Sequence, residues 1–391
     1  MSYQKILILS SKFGGGHFNA GQALVEEFGL RSSEKIEVKH LDFGAFFYRK
    51  TDFMIRKAYL SLVKKTPRLY GKIFDKTADI TAENCSKFVQ GFIYRDFLNY
   101  IEEFSPSVIV NTHFLTAGIL AEFKRKGFLD VPIVTIVTDY MVHGIWAHSG
   151  IDLYIVGCKE AYSSLIKKGV DPNRISISGI PVRICFHQAP LKNVAKRKLG
   201  LDEDKNTVLI MGGSEGLSGK AKDIKEVLLS VHQDVQFLLV CGSDEETYND
   251  LSSYSKELKN KIIVYKYIDN VQELMAASDF LITKGGGLTI SEALTVGLPV
   301  VMYKPIPGHE NGNAIFVENA GAGIVINRVE DLVKVTNTLL NRPEKLKDMS
   351  ITARRILPDN SARKAVKSII RQVHLRRVKR YNCEDWRLGI I

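Results

Sequence analysis

Two facing doubly wound α/β domains with a cleft between them are the fold that the sequence predicts, on three observations. Apolar runs rich in Ile and Val alternate with helix-period segments almost throughout, the pattern of parallel sheets covered by helices on both faces. A strand followed by a glycine loop opens that pattern near the N-terminus, and a second such pair reopens it after residue 206. The 391 residues exceed the usual size of one hydrophobic core.

Residues 5–10 read as the first buried strand, Phe13-Gly14-Gly15-Gly16-His17 as the glycine loop and residues 19–28 as the first helix. Further strands are expected at 36–41, 108–112, 133–138, 153–156 and 175–178. The polar stretch 188–206, with Pro190 and mixed charges, reads as a linker with a short helix. The second domain opens with a strand at 207–211 and the loop Gly212-Gly213-Ser214-Glu215-Gly216. It continues with strands at 236–241, 262–265, 280–283, 299–303 and 323–326. The expected division is therefore 1–187, 188–206 and 207–350, with 351–391 a helix and basic tail returning toward the first domain. Ligands of such sheets bind at the carboxyl ends of the strands where strand order reverses.

Five cysteines, odd in number and never in a C-x-x-C pair, argue against a disulfide framework or a zinc site and suit a reducing cytosol. The N-terminal apolar run is too short for a signal peptide, and no stretch is long enough to span a bilayer. A net charge of +11 calls for an anionic partner. Nine Lys or Arg face two Asp within 49–76, interleaved with aromatic and aliphatic residues. That composition makes Lys57, Lys64, Lys65 and Lys72 candidates for contact with an anionic membrane surface, against the plainer alternative of a solvated helix face. A second basic cluster runs from Arg363 to Arg380. No nucleic-acid module accompanies the charge, so no nucleic-acid partner is expected.

Five groups of residues carry chemistry. Gly16 and His17 lie between the first strand and first helix, where the helix dipole favours a neutral imidazole able to accept a proton; a surface histidine in a tight turn is the alternative. Asn19 stands where a dinucleotide fingerprint needs glycine, so an NAD site is not indicated. Lys284-Gly285-Gly286-Gly287-Leu288-Thr289-Ile290-Ser291-Glu292 repeats the strand, glycine turn and helix, and its amides can hold a pyrophosphate. Thr289 and Glu292 also have the spacing of a capping box, which leaves a purely structural role open. Pro305-Ile306-Pro307-Gly308-His309-Glu310, with Asn313, offers the donors and acceptors that a sugar requires. Thr138-Asp139-Tyr140 closes another strand, with His143 and Trp146 beyond it; Trp146 can stack on a sugar, lie against lipid or simply pack. His113 is a weaker candidate of the same kind. Asp202-Glu203-Asp204 is similar to a D-x-D metal motif but reads as a solvated acidic run in the linker.

Together these motifs resemble the processive diacylglycerol glucosyltransferases and monogalactosyldiacylglycerol synthases, over residues 6 to about 326. The resemblance rests on Phe13-Gly-Gly-Gly-His17, Val137-Thr-Asp-Tyr140 with His143 and Trp146, and Ser178-Gly-Ile-Pro-Val182. It rests equally on Ile282-Thr-Lys-Gly-Gly-Gly287 with Glu292, and on Pro307-Gly-His-Glu310 with Asn313. It implies the GT-B fold shared with MurG, and an inverting, metal-independent transfer of a hexose from a UDP-sugar to diacylglycerol with no cofactor. It assigns His17 as general base on the acceptor side, with Asp139 the second catalytic candidate, and Glu292 to the uridine ribose. The Pro307 to Asn313 loop, including His309 and Glu310, goes to the donor sugar and phosphates. Gly16, Gly213, Ser214, Gly286, Gly287 and Thr289 complete the expected donor site, and His143 and Trp146 the acceptor side. Where relatives commonly carry Pro-Gly-Gly and Pro-Gly-Gln-Glu, this chain has Gly285-Gly286-Gly287 and Pro307-Gly308-His309-Glu310.

The rival readings are a MurG-like transferase onto a polyprenyl-linked precursor, a UDP-sugar 2-epimerase, and a catalytically idle UDP-sugar sensor at the membrane. The expected location is the cytoplasmic face of the membrane, peripherally attached.

Overall fold

The structure, a computed structural model, describes residues 4–11, 15–31, 35–44, 92–213, 216–217, 220–231 and 234–387. Lys57, Lys64, Lys65 and Lys72 lie outside the described residues, as do Phe13, Gly14, Ser214 and Glu215.

All twelve expected strands form. In the first half β1 (Gln4–Ser10), β2 (Ile36–Asp42), β3 (Val108–Asn111), β4 (Ile133–Ile136), β5 (Leu153–Val156) and β6 (Ile175–Ile177) pair in the order β2-β1-β3-β4-β5-β6. In the second, β7 (Asn206–Met211), β8 (Val235–Val240), β9 (Ile262–Tyr265), β10 (Phe280–Thr283), β11 (Val300–Tyr303) and β12 (Gly323–Ile326) pair as β12-β11-β10-β7-β8-β9. Every pairing is parallel; Ile6, for example, sits opposite Val38 on one side and Val108 on the other.

The side-chain period of two explains why a central strand covered on both faces, such as β1, is a continuous apolar run, whereas β2 at the edge alternates and is only partly buried. Ile6 and Ile8 of β1 face a layer made by Leu24 and Phe28 of helix α1 (Gly16–Gly29). Leu7 and Leu9 face the opposite layer, with Leu120 and Phe123 of helix α2 (Phe114–Arg125). That second cluster does not stop at the first half. It runs through Tyr140 into Leu209 and Met211 of β7 and into Leu288 and Ile290 of helix α3 (Gly287–Val296), so the two sheets share one core. Helix α4 (His309–Asn319) lies on the same seam, its Phe316 ring stacked on Tyr140 at 4.2 Å. Helix α5 (Ser361–Arg387) crosses back and lays Ala365, Val366, Ile369 and Val373 on the Ile6 and Ile8 face.

Residues 188–206 hold a short helix, Lys192–Lys198, bound to the second half through ion pairs from Lys192 to Asp279 and Lys198 to Glu273. Asp202 accepts the Asp204 amide at 3.0 Å and so closes a turn within the acidic run.

The strand orders locate two crevices. From β1 the chain goes to β2 on one side and then crosses to β3 on the other, so order reverses between β1 and β3. The same reversal separates β7 from β10. Both crevices open at strand carboxyl ends, where this class of sheet receives ligands.

Candidate active site

His17 stands over the β1/β3 crevice as the second residue of α1. Its Nδ1 lies 2.6 Å from the Thr112 carbonyl oxygen. A carbonyl only accepts, so Nδ1 carries the hydrogen and the ring's basic lone pair is on Nε2. The Thr138 hydroxyl, 3.0 Å from the same nitrogen, adds a second contact. Thr112 is itself held, its hydroxyl donating to the His17 carbonyl at 2.9 Å and lying 3.0 Å from Ser10 Oγ. The ring is therefore oriented by the Thr112 carbonyl and the Thr138 hydroxyl, just past the ends of β3 and β4, while the Thr112 hydroxyl fixes the His17 backbone. His113 meets the His17 ring edge-on at 4.7 Å. Complete burial, and then the neighbouring His17, hold the His113 imidazole well below its ordinary value, so it is a neutral packing ring.

Asp139 is turned elsewhere: its Oδ1 accepts from Asn313 Nδ2 at 3.1 Å, across the seam between the halves. Asn313 is fully buried and also accepts the Tyr140 amide at 2.8 Å and donates to the Gly285 carbonyl at 3.2 Å. Both amide hydrogens and the oxygen are thus engaged, and the bonds to Asp139 and Tyr140 join the halves. Tyr140 adds a hydroxyl contact to Ser291 Oγ at 2.7 Å. At the same seam a Cβ on Gly287 would collide with the Thr138 carbonyl oxygen, so only glycine lets β4 and α3 approach this closely.

Of the roles open to Trp146, packing is the one its burial fits, and a lipid-facing one is corrected. Its ring is 2% exposed, 6.0 Å from Phe114 and 6.3 Å from His17, so it packs behind the base and has no face for lipid. His143 is also buried, and its Nδ1 accepts the Ile145 amide at 3.1 Å, which caps the short turn carrying Trp146.

In the second half α3 starts at Gly287 with Gly286 as its N-cap, and no side chain caps it. Glu292 is thus well inside the helix and Thr289 in its first turn, which corrects the capping-box alternative: neither stands where a box would need it. Glu292 is 9% exposed, and burial pushes its carboxyl up to about 8 against the opposing pull of Arg183. Arg183 is tied to Glu26 of α1 at 2.7 Å. In the first turn of α4, Glu310 is 2% exposed; one oxygen accepts the Ile306 amide at 2.7 Å and the other lies 3.7 Å from Lys284 Nζ. Gly16 and Gly213 line the rims of their crevices, Gly16 within 3.6 Å of the Leu288 Cβ by its own notional Cβ. The side chain of His309 lies outside the described residues.

The site therefore brings His17, Glu292, Glu310 and Asn313 to one seam; the part Asn313 plays in joining the halves, and the contacts of Thr112 and Thr138 with His17, were not legible in the sequence. Thr112 and Thr138 are 95 and 121 positions from His17, and only their place at strand ends marked them.

The monogalactosyldiacylglycerol (MGDG) synthase family model matches residues 17–182, and the glycosyltransferase family 28 C-terminal domain model matches residues 207–373. A processive diacylglycerol beta-glucosyltransferase of Bacillus licheniformis is 31% identical over 371 residues, covering 94% of this chain and 95% of that protein. The crystal structure of MurG from Acinetobacter baumannii is similar with a TM-score of 0.62 at 15% identity, over 95% of this chain and 100% of that one. Anabaena HepE in complex with UDP-glucose is similar with a TM-score of 0.55 at 15% identity, over 96% and 100%. At such identities these two likenesses speak for the fold, which is GT-B.

Proposed function

The chain belongs to the processive diacylglycerol β-glucosyltransferase family, and on that premise we propose that it moves a hexose from a UDP-sugar to diacylglycerol, making a membrane glycolipid. The family 28 domain and the UDP-glucose bound to the Anabaena relative of the fold support UDP-sugar as the donor. The observation that carries the chemistry is His17, held by Thr112 with its basic nitrogen on Nε2, at the crevice facing α3. Nε2 takes the proton of the acceptor hydroxyl as that oxygen bonds to the anomeric carbon. The bond to the UDP oxygen breaks on the opposite face, which inverts the centre and gives a β-glycoside. Glu292 is proposed to hold the ribose, and the Glu310 loop the sugar. The basic segment 49–76 is proposed to dock the enzyme on anionic lipid; among the described residues no helix is long and apolar enough to cross a membrane.

The test is to incubate the protein with vesicles of diacylglycerol and anionic phospholipid and a panel of UDP-sugars, and to identify the lipid product by mass. Diacylglycerol gaining one or more hexoses with matching UDP release is expected, at a rate that falls when Lys57, Lys64, Lys65 and Lys72 are reversed to Glu. UDP-sugar binding without turnover would instead establish a sensor.

A further inference from the structure

Three lysines stand just past the ends of adjacent strands in the second half. Lys220 ends the glycine loop after β7, Lys284 follows β10 and Lys304 follows β11. They converge on the second crevice, where strand order reverses. Lys284 passes over Gly213, its Cε 4.0 Å from the place of a Cβ there, and reaches Glu310. Lys220 is held from below: its ammonium donates to the Tyr303 carbonyl at 2.7 Å and lies 3.4 Å from the Lys304 carbonyl. Lys304 adopts φ 46°, uncommon for a residue with a side chain, and its own ammonium is spent on Asp223 at 2.7 Å. Tyr303 donates to the same Asp223 carboxylate at 2.7 Å.

The lysines differ in how firmly they are engaged. Lys304 has a close carboxylate, and Lys220 has carbonyls, which do not cancel its charge. Lys284 has Glu310 only at 3.7 Å, beyond hydrogen-bond reach, while that carboxylate is already bonded to the Ile306 amide. Two ammonium groups are thus incompletely neutralised at the crevice rim, beside Gly213 and the uncapped start of α3.

We propose that Lys284 and Lys220 receive the diphosphate of a nucleoside-diphosphate donor and neutralise it as it departs, Lys284 exchanging Glu310 for a phosphate oxygen. The inference rests on the UDP-sugar reading above and adds residues to it. The exchange has a consequence for the sugar, because Glu310 loses its cation and can accept from sugar hydroxyls. Position and charge state agree for Lys220: burial, with the like charges of Lys284 and Lys304, brings its ammonium down to about 8 against the pull of Glu310 and Asp223. An arriving diphosphate favours the charged form, so binding takes up a proton near pH 8 and weakens above it.

Calorimetry on the full chain, with UDP and uridine as parallel probes, tests this. Lys284→Gln and Lys220→Met are each expected to weaken UDP at least about ten-fold, the scale of a lost bond to a charged group, while uridine stays within about two-fold. Lys220→Met should also flatten the fall of UDP affinity above pH 8. Lys284 is the more tolerant site, so its variant carries the test if Lys220→Met does not fold. An unchanged ratio of UDP to uridine affinity in a wild type that binds UDP overturns this inference alone. A wild type that binds neither probe overturns the UDP-sugar reading beneath it.

Discussion

Replacing Glu292 with Gln should make the protein more stable and worse at holding its donor. The unfolded chain ionises this carboxyl near its ordinary value of 4.5, whereas the folded protein holds the proton up to about 8. Below about pH 4.5 both states are protonated and the group is neutral to stability. Between those values the unfolded state is charged and the native state is not, so stability falls as pH rises, and the loss levels off above about 8. At about 1.36 kcal/mol per tenfold in proton affinity the ceiling is roughly 5 kcal/mol, and relaxation around the site brings the expected loss to about 2–3 kcal/mol. Gln keeps the shape and cannot ionise. Urea unfolding of both proteins from pH 5 to pH 9 should show curves that meet near pH 5 and separate by about 2–3 kcal/mol at pH 8.5, with the variant above. UDP affinity should fall about ten-fold, since an amide offers one acceptor oxygen where the acid has two. Parallel stability curves over that range would refute the reasoning, because the carboxyl would then titrate alike in both states.

His17→Ala is expected to lower the transfer rate by about 10²- to 10⁴-fold while UDP affinity stays within a few-fold, measured by product mass and calorimetry; near-normal turnover removes it from the mechanism. Asn313→Ala strands the Tyr140 amide and breaks the bond to Asp139. It should cost about 2–4 kcal/mol in urea unfolding, and a loss under about 0.5 kcal/mol would mean that the clasp contributes nothing.

The central strands were readable because a strand buried on both faces leaves an uninterrupted aliphatic run, as in Ile6 to Leu9, and the edge strand β2 by its alternation from Ile36 to Val38. Their order was not, since β1 choosing β2 and β3 as neighbours depends on pairing between distant segments. His17 was found by its place after a glycine turn, but its orienting carbonyl could not be, because every residue has one. Thr289 and Glu292 show a local pattern outvoted: Gly286 starts the helix earlier than the box requires. Trp146 left stacking, lipid contact and packing all open in the sequence, and the turn after β4 decides for packing by folding it against Phe114. Lys284 was visible in the glycine motif, yet its relation to Lys220 required β7 and β10 to be neighbours.

The return of α5 to the first sheet has a bearing on how the chain is made. The strands β1 to β6 are complete by Ile177, but the Ile6 and Ile8 face is covered by residues from 362 onward. A ribosome adding about 5–20 residues per second needs roughly 10–40 s to deliver that cover. For that interval, among the described residues, α1 alone shelters that apolar sheet face of the nascent first half. The first half of α5 thus completes a layer begun by the first ten residues.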